Sequence, residues 1–142
     1  MVFYTIGYGG RTPDQFVALL TTYGIRSLVD VRLRPDRAAM GAYMQARDPG
    51  RGIQGLLARG EITYRSFIEL GNVFLDYPDW RERYRQLWEH AGNLLLEGLL
   101  DQVQHLPQPV CLMCAERRVA DCHRLYLAEY LVQQGWEVKH IE

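Results

Sequence analysis

Residues 110–130 read VCLMCAERRVADCHRLYLAEY, and the way this stretch divides decides the fold. Val110, Cys111, Leu112 and Met113 form a short apolar run that predicts a buried strand ending at Cys114. A polar stretch, residues 115–120, follows. Asp121 is placed as the N-cap of a helix, with Cys122, His123 and Arg124 in its first turn. Leu125, Leu127, Ala128, Leu131 and Val132 then recur at the spacing of one buried helical face. All 3 cysteines of the chain lie in this segment. Cys114 falls at the carboxyl end of a strand and Cys122 at the amino end of the next helix, where α/β folds display reactive groups.

The same alternation extends outward. Residues 2–6 read as a first strand, ended by Gly7-Tyr8-Gly9-Gly10. Thr12, Pro13 and Gln15 spell an N-cap, an N1 proline and a capping-box partner. The helix they open buries Phe16, Val17, Leu19 and Leu20 and stops at Gly24. Residues 25–31 (IRSLVDV) are a second strand, apolar enough to be covered on both faces. Residues 36–55 carry weaker signals: glycines, Pro49 and three arginines mark a loop and the best candidate for a mobile segment. A short helix over 53–59 and a strand over 62–67 follow. Residues 78–106 are helical, expected as two pieces broken near Gly92, with Trp80, Tyr84 and Trp88 set against the sheet. Residues 136–141 form a fifth strand. Strand and helix alternate with short connections, which predicts an α/β chain: a single three-layer α/β/α domain over residues 1–142 with a mostly parallel sheet of about five strands.

Composition narrows the function classes. With 48% apolar residues and a net charge of −1, the chain is neither disordered nor a globally basic polyanion binder. Of its 16 basic residues only Lys139 is Lys, a bias that suits two-point recognition of carboxylate or phosphate, although codon bias accounts for it more simply. No apolar run approaches a membrane span, no signal peptide pattern opens the chain, and three clustered cysteines do not make a secreted disulfide framework. A cytoplasmic protein is expected.

In parallel sheets the ligand binds outside the carboxyl ends of the strands. There the sequence places Gly7, Tyr8 and Arg11, then Asp30, Arg32 and Arg34, then Glu69, then Cys114 and Glu116, with Cys122, His123 and Arg124 at the following helix start. The residues TIGYGGRT, LVDVRLRP, Tyr64 with ELGN, and CAE followed by CHR resemble the DUF488 family of bacterial and archaeal proteins along essentially the whole chain. That family typically shows TIGHS and a Gly-Gly loop where this chain has Tyr8-Gly9-Gly10 and Gly71-Asn72-Val73. The first difference removes a histidine and a hydroxyl from the site. The family's function is unknown, so the resemblance implies a fold and a site location, not an activity.

Three chemistries fit these residues. The first is an enzyme with Cys122 or Cys114 as nucleophile, Glu116 and His123 as acid and base, and Gly7, Tyr8, Arg11, Asp30, Arg32, Arg34, Glu69 and Arg124 holding a small anionic or nucleotide-like substrate. A cysteine-phosphatase or rhodanese loop is excluded, because the residue six after Cys114 is Ala120 and not Arg. The second is a metal-dependent hydrolase using Cys114, Cys122 and His123, for which zinc would suit. It ranks lower, since the spacing matches no compact zinc motif and helix neighbours point about 100° apart. No metal ligand is assigned on this ground. A Cys114–Cys122 redox disulfide is a further option, without a CxxC signature. The third is a nucleotide or nucleic-acid binding module without chemistry, though the Gly-rich turn matches no dinucleotide or P-loop pattern. Nucleic acid is possible but not indicated. Substrate, cofactor and oligomeric state stay open.

Overall fold

A computed structural model describes residues 2–142. The chain runs β1 (Val2–Gly7), α1 (Pro13–Thr22), β2 (Ser27–Asp30), α2 (Gly52–Ala58), β3 (Thr63–Ser66), α3 (Trp80–Val103), β4 (Val110–Cys114), α4 (Arg124–Gln133) and β5 (Glu137–Ile141). Short 3-10 turns cover Gly41–Tyr43, Ile68–Leu70 and Val119–Asp121. The five strands form one all-parallel sheet in the order β3-β2-β4-β1-β5. Among the described residues, no helix is long and apolar enough to cross a membrane.

The strands follow their apolar runs. All residues of β2 and β4 are buried, as expected of inner parallel strands, whereas β3 and β5 at the edges are largely exposed. Two core layers cover the sheet. On one face Phe16 and Leu20 of α1 and Ile53, Leu56 and Leu57 of α2 pack on Ile6, Leu28, Cys111 and Met113. On the other, Tyr84, Trp88, Leu99 and Val103 of α3 and Leu127 and Leu131 of α4 pack on Phe3, Val29, Val110 and Leu112. Cys111 is therefore an inert core residue: burial pushes its thiol pKa up, and Arg124 only partly opposes this.

This layering sets the position of the site. The chain leaves β1 and β2 toward the α1/α2 face and leaves β4 toward the α3/α4 face. β4 lies in the middle of the sheet between β2 and β1. The connections after β4 and after both its neighbours thus diverge, which opens a crevice over the end of β4.

Local signals held at α1. Thr12 Oγ1 accepts from the Gln15 amide at 3.2 Å and Gln15 Oε1 accepts from the Thr12 amide at 3.0 Å, with Pro13 opening the helix. Three expectations need correction. Helix α3 is continuous through Gly92, which is there for close approach: a Cβ on it would enter the ring of Tyr130 in α4. Helix α4 begins at Arg124, not at Cys122; Asp121 ends a 3-10 turn and makes no side-chain cap. Its buried stripe is Arg124, Leu127, Ala128 and Leu131, while Val132, one step further round, is 56% exposed. Within residues 36–55, Tyr43 is buried and its hydroxyl donates to the Arg11 carbonyl at 2.7 Å.

Candidate functional site

The end of β4 is stitched to its neighbours by main-chain bonds. The Tyr8 amide donates to the Cys114 carbonyl at 3.1 Å, the Gly9 amide to Ala115 at 2.8 Å, and the Val31 amide to Met113 at 2.9 Å. Gly7 makes this possible, because a Cβ there would collide with the backbone carbonyl of Glu116. The glycine of the TIG motif is thus a close-approach residue for the CAE loop.

A cleft of about 350 Å³ opens over this junction. It is lined by Tyr8, Arg32, Cys114 and His123, by the charged Arg34, Arg37, Asp76, Glu116 and Asp121, and by the apolar Val73, Leu75 and Trp80. Its size falls in the usual range for small-molecule sites.

Two clusters meet here. In the first, Cys114 and Cys122 are joined sulfur to sulfur, with Cα atoms 7.6 Å apart. The Cys122 Sγ also lies 3.7 Å from Nδ1 of His123. The other ring nitrogen of His123, Nε2, stands 3.0 Å from the Val31 carbonyl, which can only accept, so Nε2 carries the proton and Nδ1 presents a lone pair to the sulfurs. Burial holds the His123 pKa down at about 4; the Val31 bond partly opposes this and the nearby Arg124 charge reinforces it. The ring is neutral at pH 7. The three side-chain atoms lie within 4.8 Å of one another and all three residues are buried.

Arg124 closes the cluster from behind. It is fully buried. Its Nη1 donates to Cys114 Sγ at 3.1 Å and to the Glu116 carbonyl at 2.6 Å. Nη2 reaches the Arg117 carbonyl at 3.1 Å and Nε the Thr5 hydroxyl at 3.3 Å, so Arg124 shapes the CAE loop from inside. The Arg124 amide itself donates to Cys122 Sγ at 3.4 Å. Glu116 Oε2 lies 3.5 Å from Cys114 Sγ on the cleft side.

The second cluster is the end of β2. Arg32 donates from Nε and Nη2 to the two carboxylate oxygens of buried Asp30, at 2.9 and 2.6 Å, and the Tyr64 hydroxyl donates to the same carboxylate at 2.6 Å. Burial alone would lower the Arg32 pKa, but its bonds to Asp30 and the Asp30 charge outweigh that and raise it. Its guanidinium lies 5.2 Å above the Tyr8 ring, which in turn stacks on Tyr43. The remaining nitrogen, Nη1, is buried and has no partner among the described residues.

Of the residues singled out in sequence, Tyr8, Arg32, Arg34, Cys114, Glu116 and His123 line the cleft. Cys122 and Arg124 lie directly behind it. Asp30 is buried beneath Arg32 and acts through it. Gly7 is a spacer. Two expected residues are elsewhere. Arg11 turns to the Gly7 and Glu142 carbonyls and faces a different surface, and Glu69 is exposed on the turn after β3. Trp80, Leu75, Arg37 and the Val31 carbonyl escaped the sequence argument. Arg37 sat in a loop with three arginines and offered a signal; a main-chain carbonyl offers none.

A family model described as a domain of unknown function, DUF488, matches residues 12–131, most of the chain. No curated protein and no solved structure matches.

Proposed function

The chain belongs to the DUF488 family, and we propose that it is an enzyme that acts on a small anionic, nucleotide-like substrate bound over the end of β4. The observation that carries this is the Nη1 of Arg32. It is a buried cationic donor without a partner among the described residues, at the cleft that also holds Cys114, Glu116 and His123. Leaving such a donor unmet is costly, and an oxyanion would satisfy it. Asp30 holds the guanidinium in one orientation, Tyr8 supports it from the ring face, and Arg34 and Arg37 line the same cleft, balanced there by Asp76 and Asp121. The apolar wall of Val73, Leu75 and Trp80 supports a substrate with a flat apolar part as well as an anionic one. The reaction centre is the Cys114, Cys122 and His123 cluster, with Glu116 as the cleft-side carboxylate able to accept a proton.

Calorimetric titration with inorganic phosphate and with nucleoside monophosphates tests the binding half. Arg32→Lys keeps a cation beside Asp30 but removes the free second nitrogen, and is expected to weaken binding by roughly tenfold or more. Glu116→Gln is expected to bind normally. Turnover of a bound phosphate ester by the wild type and its loss in Glu116→Gln would support the enzyme. Binding without turnover would leave a binding module, and no anion binding at all would overturn the proposal.

A further inference from the structure

We propose that the reduced chain holds a zinc-type metal ion on Cys114 Sγ, Cys122 Sγ and His123 Nδ1, with the fourth coordination position open to the cleft. This deepens the reading of the same site given above: it names what the cysteine–histidine cluster is. Three independent observations support it.

The first is the backbone. Cα atoms 7.6 Å apart exceed the range of about 4.4–6.8 Å over which cysteines are ordinarily cross-linked. A tetrahedral ion with Zn–S near 2.3 Å and Zn–N near 2.0 Å sets its ligand atoms roughly 3.5–3.8 Å apart. Cys122 Sγ and His123 Nδ1 already stand at 3.7 Å. The objection that neighbouring helical side chains diverge does not apply, because Cys122 is in extended backbone (φ −125°, ψ 149°) and precedes the helix.

The second is the histidine. Its Nε2 proton is donated to the Val31 carbonyl, which fixes the tautomer and aims the Nδ1 lone pair at the sulfurs. A main-chain carbonyl on the distal nitrogen is the usual outer support of a metal-bound imidazole.

The third is charge. Among the described residues Arg124 enters no ion pair with a carboxylate, although it is fully buried. Its acceptors are a hydroxyl, two main-chain carbonyls and Cys114 Sγ. An unpaired buried cation is expensive, and only a thiolate at Cys114 supplies its counter-charge among these partners. A neutral disulfide gives Arg124 no charged contact, whereas a reduced Cys114 thiolate, free or metal-bound, supplies one, so the charge favours the reduced state that the ion requires.

The balance is simple. Two-electron reduction by a dithiol opens the Cys114–Cys122 bond to two thiols and leaves the reductant as its own disulfide. A divalent ion then displaces the two thiol protons. Two cysteines and a histidine with one free position is the ligand pattern of catalytic zinc. A water in that position would lie on the side of Glu116, which can take its proton.

The test uses the full chain, purified with a dithiol reductant and no added metal, then stripped and titrated with Co2+ and Zn2+. The expected result is about one Co2+ per chain, with a thiolate-to-cobalt charge-transfer band and tetrahedral d–d bands, displaced by Zn2+. Cys111→Ala, outside the cluster, should behave as wild type. Cys122→Ser and His123→Asn should lose at least tenfold in affinity, with circular dichroism verifying that they fold. A folded, reduced wild type without that band overturns the inference, as does a band that survives both substitutions. No substrate enters this experiment, so anion binding can fail while metal binding succeeds, and the reverse.

Discussion

At the scale of single residues, His123 makes the site legible as chemistry. Burial takes its pKa from an ordinary 6.5 to about 4, so the folded chain holds it neutral where the unfolded chain protonates it. Between those two values the unfolded state binds more protons, and stability therefore rises with pH across the window and falls as pH drops from 6.5 toward 4. The loss is on the order of 3 kcal/mol across the whole window for the metal-free chain with Cys114 and Cys122 bonded. Neighbours facing the ring are Tyr84, at 5.1 Å between ring centres, Cys122 and Arg124. Urea unfolding at pH 7 and pH 5 checks this: His123→Gln is expected to flatten the difference, and an equal pH dependence in the variant would contradict it. Five of the sequence-predicted residues that line the cleft share a feature. Tyr8, Arg32, Cys114, Glu116 and His123 all sit within two residues of a strand or helix terminus, where the periodicity of the chain changes. Arg124 was seen, but its role was not. A charged residue in a helical stripe suggests a ligand contact, whereas here it is fully buried and organises a loop of main-chain carbonyls.

At the scale of elements, strands were easier to place than helix ends. The apolar runs of β2 and β4 have no other use than burial on both faces, and the capping box of α1 leaves one starting point. Helix α4 starts two residues later than its acidic residue suggests, because Val119–Asp121 forms its own turn and Asp121 never caps. That shift matters, since it frees Cys122 from the helix and lets it meet His123. Gly92 misled in the other direction. A glycine in a long helix resembles a break, yet here it admits Tyr130, whose hydroxyl donates to Asn93 at 2.7 Å. Gly92→Ala would ordinarily favour a helix by nearly 1 kcal/mol. Here the added methyl meets an aromatic ring, and the expected net effect is destabilisation by about 1–3 kcal/mol, read from thermal unfolding. A more stable variant would mean that α3 and α4 do not pack this closely.

At the scale of the whole molecule, strand order is what sequence could not supply. Alternating strands and helices predict a parallel sheet, but placing β4 between β1 and β2 depends on pairings between residues far apart in the chain. That order brings the TIG turn, the VDVR segment and the CAE loop to one crevice, and it moves Arg11 and Glu69 away from it. It also sets the buried Arg124 against a sulfur pair. The end of β4 thus brings the proposed metal cluster and the proposed anion-binding arginine to the same cleft. A crystal of the reduced chain, grown without added metal and soaked with a nucleoside monophosphate, tests this most directly through anomalous scattering at the zinc edge. The expected result is a single anomalous peak bounded by Cys114 Sγ, Cys122 Sγ and His123 Nδ1, with phosphate density on Arg32 Nη1. Two metal-free thiols and a phosphate bound elsewhere on the surface would contradict the account.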